Sequence, residues 1–152
     1  MMDMRKIPDR LVYLGHVIEF KFVGRGRFKE ESNYIVYLDG NLLCMMKVFR
    51  GRGYYKPWIE LYSFTELWSE LKNNVNLFKK FLHLFSCILE KDESLYIEYF
   101  HDASLTKELE QGRDVEATFI GRLLYEVGFR GFKDWYIPEG MWEGGQKIEA
   151  WK

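Results

Sequence analysis

Proline is scarce in this chain, three among 152 residues, so few positions force a break in a helix or strand. Cysteine is scarcer. Cys44 and Cys87 each lie inside an apolar run, LLCMM and LFSCIL, and read as two buried thiols rather than a disulfide or a metal ligand, which fits a reducing, cytoplasmic setting. No stretch approaches the ~18 uncharged apolar residues of a membrane span, and MMDMRKIPDR lacks an apolar core of signal-peptide length. The expectation is a soluble, unexported protein with no membrane partner. Net charge is nearly absent: 22 basic against 23 acidic residues leave −1. No overall field draws the chain onto nucleic acid, so such a partner has to be met by a local patch. No spacing such as H-x-x-x-H occurs, and no metal is expected.

What is plentiful is aromatic surface. Twelve Phe, ten Tyr and five Trp bring the aromatic share to 18% and the hydrophobic share to 47%, the composition of a packed globule. One domain spanning 1–152 is the expectation, because a chain of this length buries roughly 70% of its unfolded surface.

Residues 16 to 23, HVIEFKFV, set Ile18, Phe20 and Phe22 against Glu19 and Lys21, the period-two pattern of a half-buried strand. After the loop GRGRFKEES, a second strand, NYIVYL, runs into Asp39-Gly40, a hairpin signal that makes NLLCMMKVF the third strand. A second loop, RGRGYYKP, leads to a fourth strand, PWIELYS, at 57 to 63. Ser63 and Glu66 stand at capping-box spacing. The spacing of Leu67, Leu71, Val75, Phe78, Leu82, Phe85 and Leu89 predicts one long helix to about Glu90, with Glu70, Lys72, Lys79 and Lys80 outside the apolar row. A fifth strand, SLYIEYF at 94 to 100, should run parallel to the fourth across a right-handed crossover.

Asp102 caps a short helix over 103 to 111 that stops at Gly112. Asp114 caps another, burying Val115, Phe119, Leu123, Leu124 and Val127 and ending at Gly128. FRGFKDWYI and KIEAW then read as strands around the loop PEGMWEGGQ. The predicted fold class is α+β: a mixed, mostly antiparallel sheet of about six or seven strands with one parallel pair, packed by a long central helix and a second C-terminal helix.

This order resembles the core of the GNAT acyltransferases, and LLYEVGF at 123 to 129 is similar to the leucine-tyrosine, glycine-phenylalanine ending of their last core helix. The resemblance implies an N-acyltransferase using an acyl-coenzyme A, with Tyr125 protonating the departing thiolate. Within that superfamily the chain most resembles a prokaryotic family called domain of unknown function 1122. The residues responsible are Asp102, Thr106, Thr118, Gly121 and the stretch KDWYIPEGMWEGGQK from Lys133 to Lys147. That resemblance implies the fold and no established activity. One departure stands out. GNAT enzymes hold the coenzyme pyrophosphate on a Q/R-x-x-G-x-G/A turn ahead of the long helix, because bare glycines let backbone amides approach it. Here SFTELW holds no glycine, and the capping box takes amides a phosphate needs. The helical pair between the first two strands, which often grips the acceptor, does not fit within residues 24 to 32 either.

Strand directions sort the loops onto two edges. The lower edge, at the C-terminal ends of the parallel pair, is where open sheets place ligands. It collects Thr65, His101, Asp102, Thr106, Glu139, Trp142 and Glu143, with Gly144-Gly145 as a flexible pair. His101 and Asp102 form an acid/base candidate under an aromatic lid, in a cleft for a small-molecule ligand. The plainer reading has Asp102 as a cap, His101 as a strand-end residue, Glu139 and Glu143 as solvated loop charges, and Tyr125 as core. Trp135 and Tyr136 read first as cross-strand packing. The upper edge carries Arg25, Arg27, Lys29, Arg50, Arg52 and Lys56, interleaved with Phe28, Tyr54 and Tyr55, a set able to hold nucleic acid or another polyanion; Glu30 and Glu31 offset it. Three functions remain open: a divergent acyltransferase, a ligand- or polyanion-binding module that keeps the fold without the chemistry, and a structural partner or homodimer suggested by the aromatic C-terminal segment.

Overall fold

The computed structural model describes residues 7–27, 29–63, 65–136 and 146–152. Eight strands form one sheet: β1 (Arg10–Tyr13), β2 (His16–Arg25), β3 (Glu31–Leu38), β4 (Asn41–Phe49), β5 (Trp58–Tyr62), β6 (Ser94–Glu98), β7 (Gly131–Tyr136) and β8 (Gln146–Trp151). Their order across the sheet is β1-β2-β3-β4-β5-β6-β8-β7. Only β5 and β6 are parallel neighbours, in register from Trp58 opposite Ser94 to Tyr62 opposite Glu98. The expected α+β class and parallel pair are present, but the sheet is wider than the six or seven strands anticipated.

The unforeseen strand is β1. It folds onto β2 through Leu14-Gly15, whose φ angles of 52° and 79° are both positive, the backbone of a two-residue hairpin turn. A leucine rarely adopts that conformation, so the turn carries no sequence signal of the Asp-Gly kind.

The single long helix is a second correction. It is two helices, α1 (Glu66–Asn73) and α2 (Val75–Ile88), broken at Asn74, whose ψ of 82° is not helical and whose side chain accepts from the Leu77 amide. An asparagine that caps from within an apolar row offers the backbone a local alternative to continuing. The Ser63–Glu66 capping box is not formed either. The buried Ser63 hydroxyl donates to the Glu98 carbonyl at the tip of β6. Thr65 takes the N-cap position of α1, where its hydroxyl donates to the Leu43 carbonyl instead of capping.

Two shorter helices follow β6. Asp102 caps α3 (Ala103–Glu110) by accepting from the Leu105 amide, as expected. Asp114 does not cap the next helix: residues 115–117 form a 3-10 turn, and Thr118 caps α4 (Phe119–Glu126). Thr118 is wholly buried, donating to the Val115 carbonyl at 2.6 Å and accepting from the Gly121 amide at 3.0 Å. A Cβ on Gly121 would come within 1.8 Å of that same carbonyl, so glycine is what lets the turn lie against α4.

Strand residues Ile18, Val36, Met46, Ile59, Leu61, Leu95, Ile97 and Ile148 join Trp68, Phe78, Phe81, Phe85, Leu105 and Leu124 in one core cluster. All four helices feed that cluster, so they cover one face of the sheet. The alternate strand residues occupy the other face, which no described helix covers. Cys44 is buried as expected, while Cys87 is exposed on the outer side of α2, 3.6 Å from His83 one turn earlier; its apolar neighbours turn inward and it does not. No described helix is long and apolar enough to cross a membrane.

Candidate functional site

The lower edge brings together several of the residues singled out from the sequence, but around a structural centre. The buried carboxylate of Asp102 accepts from Trp68 Nε1 at 2.9 Å, from Lys72 Nζ at 2.9 and 3.0 Å, and from the Ser104 hydroxyl at 3.0 Å, besides capping α3. Burial alone would raise its pKa; the Lys72 charge and these hydrogen bonds together hold it below the usual carboxylate value. Lys72, outside the apolar row of the sequence pattern, is nonetheless buried and ties α1 to α3 through this pair. His101 is exposed, with its ring edge-on to Phe100. Thr106 donates to the Tyr99 carbonyl and borders a pocket of about 310 Å³ with Tyr99, Leu109, Asp134 and Gln146. Thr65 is held by Leu43 as described. Glu139, Trp142, Glu143 and Gly144-Gly145 lie outside the described residues, as does Phe28 of the upper edge. Among the described residues no group of His, Cys, Asp or Glu could hold a metal ion.

Tyr125 is not a core residue: it is 53% exposed, and the Arg130 guanidinium lies 4.0 Å from its ring centroid. Arg130 also donates to the Tyr125 carbonyl, while its own amide bonds Trp151, the β8 residue paired with Ser94 at the start of β6. Asp102 follows the end of β6. The four steps from Ser94 to Glu98 separate those two levels by about 13 Å at ~3.3 Å per residue, so the fold does not bring Tyr125 to His101 and Asp102.

The uncovered face holds a constellation that the sequence reading missed. Along the parallel pair, Glu60 stands opposite Tyr96 and Tyr62 opposite Glu98, which makes a checkerboard of carboxylates and phenols on adjacent strands. Glu60 and Glu98 are both buried. Lys147 of β8 reaches Glu60 at 3.2 Å, and Glu149 accepts from Ser94 and from Trp135 Nε1. Burial raises the Glu98 pKa, outweighing the Phe100 amide bond and the His101 and Lys147 charges that pull it down. Burial, then the Glu149 charge, lifts Tyr96 to about 12; burial, then the Glu60 charge, lifts Tyr62 as well. Such a group can accept a proton at the Glu98 carboxylate, donate hydrogen bonds from phenols that stay protonated, and attract a cation. The signal was present in WIELY and SLYIE. Parallel strands covered on both faces are apolar throughout, and Glu and Tyr at alternate positions mark a face that no described helix covers.

At the upper edge Arg25, Arg27, Lys29, Arg50, Arg52 and Lys56 are all exposed, and antiparallel pairing does place their two loops side by side. A backbone bond from the Arg50 amide to the Glu30 carbonyl joins the loops; Glu31 is buried beside them, and Lys56 lies 3.9 Å from Asp92.

An α+β protein with an eight-stranded, mostly antiparallel sheet, helices on one face and an acidic, aromatic opposite face is the class defined by these features. Residues 15–152 match the family described as "Protein of unknown function (DUF1122)", and the chain belongs to that family. It is also similar to the crystal structure of a protein of unknown function from Aquifex aeolicus VF5. The two are 31% identical with a TM-score of 0.80, over 98% of this chain and 78% of that one. No curated protein matches the chain.

Proposed function

We propose that the protein is a divergent, GNAT-like N-acyltransferase that moves an acyl group from an acyl-coenzyme A to an amine held on the uncovered face over β5 and β6. The observation that carries this reading is Glu98 beside Tyr62 in the parallel register, a carboxylate of raised pKa next to a protonated phenol. A carboxylate so raised is a stronger base than an exposed one, which suits it to proton removal. Glu98 takes one proton from the ammonium of the acceptor and later releases it to solvent. The freed nitrogen attacks the thioester carbon, forming the C–N bond as the C–S bond breaks. The thiolate leaves under a hydrogen bond from Tyr62 and takes the surplus proton of the nitrogen. Tyr62 thereby replaces Tyr125, whose ring is engaged by Arg130. Support also comes from the strand order and from the N-terminus of α1, which has no side-chain cap; its dipole favours an anion by roughly 0.3 to 1 kcal/mol.

A second reading is a binding module that keeps the fold without the chemistry. The Ser63 hydroxyl bond to the Glu98 carbonyl favours it, because it ties together the tips of the two parallel strands, and so does the glycine-free SFTELW. In its polyanion version, the ligand meets the six exposed cations of the upper edge. Calorimetry with acetyl-coenzyme A and longer acyl thioesters, followed by amine-dependent thiol release, tests the first reading. No heat at millimolar thioester removes it, and amine binding that persists without turnover leaves the second.

A further inference from the structure

An apolar hollow lies at the other end of the uncovered face, between the loops joining β2 to β3 and β4 to β5. It is a cleft of about 550 Å³ walled by Phe49, Trp58, Tyr54 and Tyr55, with Glu30, Glu31 and Arg52 as its polar members, within the size range of small-molecule sites. Phe49 and Trp58 stack with ring centroids 4.0 Å apart and planes at 22°, giving one rigid wall. The opposite wall is the tip of the β4–β5 connection, a tight turn closed by reciprocal backbone bonds between Arg52 and Tyr55 at 3.0 and 2.9 Å. That tip holds Tyr54 and Tyr55 out in solvent.

Two residues that line this cleft each carry a buried polar atom without a hydrogen-bond partner among the described residues: the acceptor Glu30 Oε2 and the donor Trp58 Nε1. Buried polar atoms are nearly always paired, and an unpaired one is destabilising. Here an acceptor and a donor are orphaned on residues of the same small cleft. Its acidic side is built rather than incidental. Glu31 is buried against Gly26, where an added Cβ would lie 2.0 Å from Oε2 of the glutamate.

We infer that this cleft binds a compact organic cation: an amine with an apolar or aromatic body and a neighbouring carbonyl. The ammonium donates to Glu30 and lies against the faces of Trp58 and Tyr55, which attract a cation through the ring quadrupole. The carbonyl accepts from Trp58 Nε1, with the Arg52 guanidinium as a second donor at the rim. The acidic interior turns away phosphates, so the basic residues outside it do not make this cleft a polyanion site. The inference does not need acyl transfer, since binding is measured with no acyl donor present.

Calorimetry with four matched probes tests it: phenylalaninamide, with cation and carbonyl; phenethylamine, with cation only; 3-phenylpropionamide, with carbonyl only; and 3-phenylpropionate, an anion. Phenylalaninamide is expected to bind tightest and the anion weakest. Glu30→Gln should weaken phenylalaninamide about tenfold or more and leave 3-phenylpropionamide unchanged. Trp58→Phe keeps the stacked ring and should erase the advantage of phenylalaninamide over phenethylamine. Tyr54→Ala, at a side chain without packing, should weaken all of the ring-bearing probes without affecting folding. No heat from phenylalaninamide at millimolar concentration overturns the inference. So does 3-phenylpropionate binding as well as phenylalaninamide, or unchanged affinity in both Glu30→Gln and Tyr54→Ala.

Discussion

Ile59, Leu61, Leu95 and Ile97 of the parallel pair point to the helices, while Trp58, Glu60, Tyr62, Tyr96 and Glu98 of the same two strands point the other way. Both faces bury polar groups, yet they treat them differently. On the helical side Asp102 meets Trp68, Lys72, Ser104 and an amide, and Thr118 meets Val115 and Gly121. On the open side Glu98 and Tyr62 are held away from their charged forms by burial, and Trp58 Nε1 has no partner among the described residues. Satisfied buried groups specify packing. Buried groups left strained electrostatically are where binding and catalysis concentrate.

That contrast breaks most readily at Lys72. Lys72→Met leaves the Asp102 carboxylate buried without its countercharge, a change that costs about 3–5 kcal/mol, read as a lower denaturant midpoint. The pH dependence carries the sign. With Asp102 held below its unfolded value of ~3.9, the pair contributes stability above that pH and loses it as pH falls through the folded pKa. In Lys72→Met burial is unopposed by the lysine, so acid should relieve the variant over the range where it weakens the parent. Parallel acid profiles would place the Lys72–Asp102 pair outside the stability of the helical side.

Gly121→Ala comes next. Its methyl group must displace the Val115 carbonyl, which a Cβ would approach to 1.8 Å, and overpacking of this kind costs about 1–3 kcal/mol. Thermal unfolding checks it, and a neutral result would show that the 3-10 turn yields freely.

Glu98→Gln should have a smaller effect, within about 1 kcal/mol, and of opposite sign. Because the folded carboxyl prefers its proton, ionisation at neutral pH opposes folding, and the neutral amide removes that term while still accepting from the Phe100 amide. The gain should vanish as pH falls below the folded pKa, where the parent is protonated too. Loss of stability at neutral pH would mean that Glu98 belongs with Asp102 as a satisfied group.

The covered side was the legible one. Period-two strands, the Asp39-Gly40 hairpin, the parallel pair and the Asp102 cap all follow from local pattern, because burial against helices imposes alternation and caps have fixed spacing. The Leu14-Gly15 turn and the break at Asn74 were not legible, since each rests on a backbone conformation that tertiary contacts impose on an unremarkable residue. Ser63 shows the same limit: its spacing to Glu66 fits a capping box, and only the sheet reveals a buried carbonyl nearer to hand. His101, Asp102 and Thr106 do share the lower edge, where Asp102 is a packed cap and ion-pair partner. The open-face set escaped because its residues are far apart in sequence and meet only through the register of β5, β6 and β8.

The smallest expected effect is at Tyr125, and it separates the two candidate proton-handling sites. Its ring faces solvent under Arg130, and Tyr125→Phe keeps the aromatic face on which that contact depends. Stability should therefore stay within about 0.5 kcal/mol. If the reacting groups are Glu98 and Tyr62, thiol release from an acyl thioester should be unchanged in Tyr125→Phe and lost in Tyr62→Phe. The reverse result would move the chemistry from the open face to α4, and leave the carboxylates over β5 and β6 as a binding surface alone.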